Sequence, residues 1–307
     1  MNCTPSGVAA ARYPVTDSTT AIPGTLREDS TTGSGPTFLK PTAPMGIYQT
    51  LYAFQAAFGQ PMGAPGTHPW SQGFPLTEPI PGGPELPSSV AVSSEDLRYP
   101  KAWGLPALRE RIASYYNEHY GASIDVDNVM VFAGGRPALL STLLFLEKGI
   151  GIKIASTEYT PYFDILEGLS VPYELVDSDI ENQFCPSIDS YKSPGSHQRT
   201  LMLLSNPCNP TGITRTGADL EALVAAASTP SCGLLIDEAY EMFHSPSVSG
   251  IEFVQDLDNS NVFIAGACTK GLQSPGIRIG WIVASKTNIA TMANYSSFGM
   301  GGVSHPS

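Results

Sequence analysis

The sequence predicts an α/β fold, a mostly parallel sheet with helices on both faces. Three observations carry this. Short runs such as VMVFA (129–133), TLMLLSN (200–206) and GLLIDEA (233–239) are apolar at successive positions, as strands covered on both faces must be. They alternate with stretches of helical length and period, the order that crossover connections produce. A chain of 307 residues can also bury a core large enough for such a sheet.

The elements follow in order. Residues 1–44 are rich in Thr, Ser, Pro and Gly without apolar period and read as a mobile arm. Residues 45–97 form an N-terminal segment. In it GIYQTLYAFQAAFG (46–59) has helical spacing, and a Pro/Gly-rich stretch to about residue 87 reads as a lid or entrance wall, where His68 and Trp70 can touch a substrate or simply pack. Residues 98–307 read as the large domain. GLPALRERIASYYNEHYG opens it as a helix, with Pro106 in the first turn, Leu105, Leu108, Ile112 and Tyr115/Tyr116 on one face and Gly121 at the stop. Strand VMVFA precedes a helix at PALLSTLLFLEKG. KIAS (153–156) and YELV (173–176) flank a helix at PYFDILEG. TLMLLSN, a helix at GADLEALVAAAS, GLLIDEA, NVFIAG (261–266) and RIGWIVA (278–284) complete the series.

In such a sheet ligands bind outside the carboxyl ends of the strands, and the chemically distinctive residues fall there. After VMVFA comes Gly134-Gly135-Arg136-Pro137, a turn whose helix N-terminus offers N–H groups to an anion; the same turn also serves packing alone. After KIAS comes Glu158-Tyr159-Thr160-Pro161-Tyr162, in which Tyr159 either stacks on a flat ligand or packs against the helix. After TLMLL comes SNPCNPTG (205–212), whose two Asn-Pro steps make a loop rigid enough to aim Asn209. After GLLI come Asp237 and Tyr240, and an acid at the end of an apolar strand calls for a positive partner. After NVFIAG comes ACTKGLQSPGIRIGW, carrying Thr269, Lys270 and Arg278.

An anion cradle, an aromatic ring, an amide, an acid, a phenol, an amine and a guanidinium together suit pyridoxal 5'-phosphate. That cofactor needs a lysine for its aldehyde, an acid against its pyridine nitrogen, donors to its phenolic oxygen and an arginine fork on its phosphate. With these residues, positions from about 72 to 307 resemble the class I/II aminotransferases, the fold type I pyridoxal-phosphate enzymes. The resemblance implies that Lys270 holds the cofactor as a Schiff base and then moves the alpha proton, and that Asp237 pairs with the pyridinium. Tyr240 and Asn209 would bond the phenolic oxygen, Tyr159 would stack on the ring, and Gly135, Arg136, Pro137, Thr269 and Arg278 would hold the phosphate region. YPKAWGLPALRERIA resembles the family segment whose tyrosine, here Tyr99, reaches the phosphate in the neighbouring subunit, implying a homodimer. The Gly73 region resembles the family's substrate-side loop.

Three positions depart from the family pattern. Ala267 stands where a serine is usual, Arg136-Pro137 replaces small or polar residues, and the chain ends at Ser307 where the C-terminal small domain is expected, so that domain reads as missing or truncated. GGRPAL with EYTPYFDIL resembles a subgroup acting on arginine-like amino acids, some by cyclisation or oxidation.

A net charge of −12 argues against nucleic acid and anionic membrane as partners. Five widely spaced cysteines without a CxxC or Cys/His cluster give no support to zinc or to a disulfide framework, and fit reduced thiols in the cytoplasm. The leading expectation is an aminotransferase acting on an amino acid and a 2-oxo acid. Elimination, cyclisation or oxidation through the same cofactor, or a non-catalytic relative of these enzymes, are the alternatives.

Overall fold

The structure is a computed structural model describing residues 46–68, 73, 75, 81–82, 89–192 and 195–307. The expected arm at 1–44, Trp70 and most of the Pro/Gly-rich stretch lie outside the described residues. The chain divides into two compact units, residues 1–72 and 73–307. In the first, α1 (Gly46–Phe58) is the helix expected from its spacing, with Phe54 and Phe58 one turn apart and their rings 4.5 Å between centroids. His68 of this unit is exposed.

The second unit is built on one seven-stranded sheet. Its strands are β1 (Val129–Phe132), β2 (Ile150–Ala155), β3 (Tyr173–Val176), β4 (Arg199–Ser205), β5 (Cys232–Asp237), β6 (Val262–Ala267) and β7 (Gly280–Val283), in the spatial order β1-β7-β6-β5-β4-β2-β3. Strands β3, β2, β4, β5 and β6 run parallel, and β7 lies antiparallel to both neighbours, β6 and β1. The carboxyl ends of β1, β2, β4, β5 and β6 therefore share one edge, and the amino end of β7 joins them there.

Helices α2 (Pro106–Tyr120), α3 (Gly135–Leu144), α4 (Thr160–Leu169), α5 (Ile188–Lys192), α6 (Gly217–Ala227) and α7 (Lys286–Met292) cover the sheet. Alternation along the strands sorts the core into two layers. Val129, Val131, Met202, Leu204, Leu234, Ile236 and Ile264 face α2 and α6. Met130, Phe132, Leu201, Leu203, Leu235 and Ile282 face α3, α4 and α7. Helix α2 starts with Pro106 and stops at Gly121, whose φ of 65° is the left-handed conformation that closes a helix without a Cβ penalty. Arg109 of α2 ties this helix to the sheet, its Nε donating to the Val129 carbonyl at 2.8 Å.

Strand β3 differs from its neighbours. It is one of the two edge strands, only Val176 of its four residues is buried, and Leu175 is exposed. A lysine in the middle of β2, Lys153, is buried because Glu174 stands opposite it on β3, Nζ to Oε2 2.6 Å. Lys153, with the Ser196 hydroxyl and N–H, holds the Glu174 carboxyl down at about 2, below its ordinary 4.5. Helices α5 and α7 have no counterpart among the sequence expectations; α5 is a single short turn and α7 follows the last expected strand.

Two predictions follow from this packing. Leu235, fully buried in the central strand, should cost about 2–5 kcal/mol of unfolding free energy when cut to alanine, measured by urea denaturation. Because the Glu174 carboxyl is depressed, its contribution is present above pH 4.5 and lost as pH falls toward about 2. Glu174→Gln should therefore remove that part of the acid dependence of the melting temperature, and an unchanged acid profile would refute the pairing.

Candidate active site

The amino end of β7 and the carboxyl end of β1 meet through glycines. Gly280 pairs with Phe132 on one side and Ala267 on the other. A Cβ on Gly280 would stand 2.5 Å from the Gly134 carbonyl carbon and the Gly135 nitrogen, and one on Gly134 would stand 2.3 Å from Arg278 Nη2. Gly134 also has φ 107° and ψ 168°, a region that only glycine occupies freely. This close approach sets the first turn of α3, Gly135-Arg136-Pro137, beside Arg278. No side chain caps that turn among the described residues, so its N–H groups are directed at the same edge as an anion site.

Lys270 sits on a tight turn at the end of β6. The Cys268 N–H donates to the Ile279 carbonyl (3.1 Å), the Gln273 N–H to Lys270 O (3.0 Å) and the Ser274 N–H to Cys268 O (3.1 Å). A 3-10 turn at Pro275–Ile277 follows, and then Arg278 at φ 62°, whose Nη1 donates to the Pro275 carbonyl at 2.7 Å. Lys270 Nζ donates to the carbonyl of Gly73 and lies 5.3 Å from the centre of the Tyr240 ring. A Cβ on Gly73 would collide with the Tyr240 hydroxyl at 2.1 Å, so glycine is required for this contact. Burial, and then the charge of Arg136, hold the Lys270 ammonium below its ordinary pKa, while Asp237 pulls the other way. More of this lysine is thus free amine, the nucleophilic form, than of a surface lysine.

Asp237 ends β5. Its Oδ2 accepts from the Tyr162 hydroxyl (2.8 Å) and its Oδ1 from the Ala239 N–H (3.0 Å). Burial pushes its carboxyl up, whereas those donors and Lys270 favour the ionised form. A cation against this carboxylate would add to them, and that is what a protonated pyridine nitrogen supplies. Tyr162 was not among the residues singled out by sequence. The available signal was its place three residues after Tyr159, on the same side of α4. The two rings meet edge-on at 5.4 Å.

Arg136 is exposed, and it turns to Tyr159: its Nε and Nη2 donate to the Tyr159 hydroxyl at 3.2 and 2.8 Å. The loop after β4 is braced at both ends by Asn206, whose Nδ2 donates to the Arg215 carbonyl (3.1 Å) and whose Oδ1 accepts the Arg215 N–H (2.8 Å). Within it the Asn209 N–H donates to Ser205 Oγ at 3.0 Å. Ser205 in turn donates to Glu158, a buried acid that the sequence placed at a strand end without a role.

The register therefore brings Gly135, Arg136, Pro137, Tyr159, Asn209, Asp237, Tyr240, Thr269, Lys270 and Arg278 to one edge of the sheet. Tyr99 is different: its side chain is 96% exposed. Lysine amine, hydrogen-bonded acid, aromatic ring, helix N-terminus and guanidinium together match the donor set that pyridoxal phosphate requires.

The family model described as "Aminotransferase class I and II" matches residues 69–306. Among curated proteins, the chain is 26% identical over 201 residues to an aspartate aminotransferase of Pyrococcus horikoshii, covering 65% of this chain and 51% of that one. It is 24% identical over 218 residues to an L-aspartate:5-guanidino-3-methyl-2-oxopentanoate transaminase of Pseudomonas syringae, covering 70% and 56%. Among solved structures, an aspartate aminotransferase mutant of Thermus thermophilus superposes with a TM-score of 0.62 at 24% identity, over 68% of this chain and 55% of that one. The Rhizobium meliloti aspartate aminotransferase gives 0.63 at 23%, over 68% and 53%. The chain spans about half the length of the curated relatives it matches.

Gly134→Ala should cost about 1–3 kcal/mol through its backbone conformation alone and displace Arg278 as well. A thermal melt followed by circular dichroism measures this, and an unchanged midpoint would contradict the geometry.

Proposed function

Since the chain belongs to the class I and II aminotransferase family, we propose that it serves a pyridoxal-phosphate-dependent transfer of an amino group from an amino acid to a 2-oxo acid. The observation that carries this is the setting of Lys270: an amine held against Tyr240 and the Gly73 carbonyl, near enough to Asp237 to feel its charge, on the edge flanked by Arg278 and the α3 N-terminus. The cofactor, when bound, supplies an aldehyde that condenses with amines and a ring that takes up carbanion electrons.

The remaining work falls to side chains of this chain. Lys270 Nζ would hold the cofactor's aldehyde and, once the substrate's amine has displaced it, would as a free amine carry the proton from the substrate's alpha carbon to the former aldehyde carbon. Asp237 keeps the proton on the pyridine nitrogen, and Tyr162 keeps Asp237 ionised and oriented. The Tyr240 hydroxyl and the Asn209 amide would donate to the phenolic oxygen, and Tyr159 would stack on the ring. Arg278, Arg136, Thr269 and the Gly135-Arg136-Pro137 turn neutralise and orient the phosphate. Tyr99, with almost its whole side chain in solvent, supports a homodimer in which it reaches the phosphate of the neighbouring subunit. Among the described residues no helix is long and apolar enough to cross a membrane. The cytoplasm is the setting this reading takes, on the widely spaced cysteines without a CxxC or Cys/His pattern.

The test uses purified protein loaded with pyridoxal phosphate. Borohydride reduction followed by peptide mass spectrometry should place the cofactor mass on Lys270. Lys270→Ala should carry none and lose at least about a thousandfold in turnover. A substrate panel that includes aspartate and arginine is warranted, because relatives named for aspartate and for a guanidino 2-oxo acid both match. Amino-group transfer to a 2-oxo acid confirms the reading. Oxygen consumption, or a product that keeps its alpha nitrogen, would replace it with the elimination, cyclisation or oxidation alternative.

A further inference from the structure

Glu158 is a buried acid three residues beyond the end of β2, only 5% exposed, and no role in the proposed chemistry needs it. Its surroundings consist of donors. Ser205 Oγ donates to Oε2 at 2.6 Å, the Ser205 N–H lies 3.2 Å from both carboxyl oxygens, and the Tyr159 N–H donates to Oε2 at 3.4 Å. Ser205 has a single hydroxyl proton, and its Oγ also accepts the Asn209 N–H at 3.0 Å. The direction of the chain is therefore fixed: Asn209 N–H to Ser205 Oγ, Ser205 O–H to Glu158. Only an acceptor at Oε2 completes it.

We propose that Glu158 is a positioning residue for the cofactor: through Ser205 it holds the backbone of Asn209, and through its own chain neighbour it holds Tyr159, so that the ring-stacking and amide-donating groups are set in one frame. The inference rests on the cofactor reading given above. Burial supports it from the energetic side. The Glu158 carboxyl is pushed up to about 7 by burial, against the Ser205 donors, and Asp237 on β5 pushes it further. Tyr162 of α4, Tyr191 of α5 and Cys208 of the loop face the same charge. Truncating Glu158 leaves the buried Ser205 hydroxyl and N–H without their acceptor, so Glu158→Ala carries a stability cost of its own, whereas Ser205→Ala keeps the acid and its backbone donors.

The experiment compares pyridoxal phosphate dissociation constants, by absorbance titration, with apoprotein melting temperatures for wild type, Glu158→Gln, Glu158→Ala and Ser205→Ala. Gln keeps an acceptor oxygen for the Ser205 hydroxyl; alanine does not. Glu158→Ala and Ser205→Ala should each weaken cofactor binding about tenfold, equivalent to ~1.4 kcal/mol. Glu158→Gln should stay within about threefold of wild type, the loss of one long contact. The apoprotein melting temperature should fall with Glu158→Ala, whose Ser205 donors lose their acceptor, and fall less with Ser205→Ala, which leaves Glu158 its backbone donors. Equal binding by wild type and Glu158→Ala overturns the inference. So does a loss of binding that scales with the fall in melting temperature across the three variants, because it marks a merely structural residue. Failure of the wild type itself to bind the cofactor overturns the reading beneath it instead. Should Glu158→Ala not fold, Ser205→Ala alone decides between the same two outcomes.

Discussion

The close packing of β7 between β1 and β6 is the constraint on which the site depends. Because β7 runs against both neighbours, its amino end arrives where theirs finish, and Arg278 is delivered beside the α3 N-terminus. The contact is too tight for side chains at Gly134 and Gly280. Backbone approach of this kind has no slack, so the relative placing of guanidinium and helix N-terminus is rigid. Gly266 makes the same accommodation for Trp281, whose indole N–H donates to the Tyr116 hydroxyl at 3.0 Å and so secures β7 to α2.

Around this frame the edge accumulates charge that the core would not tolerate alone. Asp237, Glu158 and Glu238 all have carboxyls pushed up by burial, and each is met by hydrogen-bond donors. Ser249 Oγ and the Gly250 N–H donate to Glu238, at 2.5 and 2.6 Å. Glu241, one turn further on and held at about 7 chiefly by burial, accepts from the Tyr115 hydroxyl at 2.6 Å. Buried carboxyls of this kind favour a cation beside them, and at Asp237 the charge of Lys270 already acts in that direction. Stability is given up at this edge and recovered in the two apolar layers on either face of the sheet.

Much of this was legible in the chain. The strands VMVF and GLLID are found where apolar runs put them, since full burial on both faces leaves no other choice of residue, and YELV is found as a half-exposed edge strand. The positions of Asp237, Lys270 and Arg278 at strand ends were likewise readable, because a charged residue closing an apolar run is unusual by itself. Tyr162, Glu158 and Ser205 were not readable as partners. Each looks like an ordinary polar residue until the register aligns Ser205 with Asp237 and the start of α4 brings Tyr162 to the same point. The role of Glu174 in burying Lys153 was hidden for the same reason, as it lies across a strand pair.

Sequence alone determined the alternation of strand and helix, the kinds of reactive group and the ends of the strands that carry them, because periodicity and composition are local properties. The tertiary structure decided the strand order, the reversal of β7 and the hydrogen-bond chain from Asn209 to Glu158. These depend on contacts between residues far apart in the chain, which local pattern does not encode. The turn of Arg136 onto Tyr159 is of the same kind: the residue types permit it, and only the meeting of α3 with α4 makes it happen.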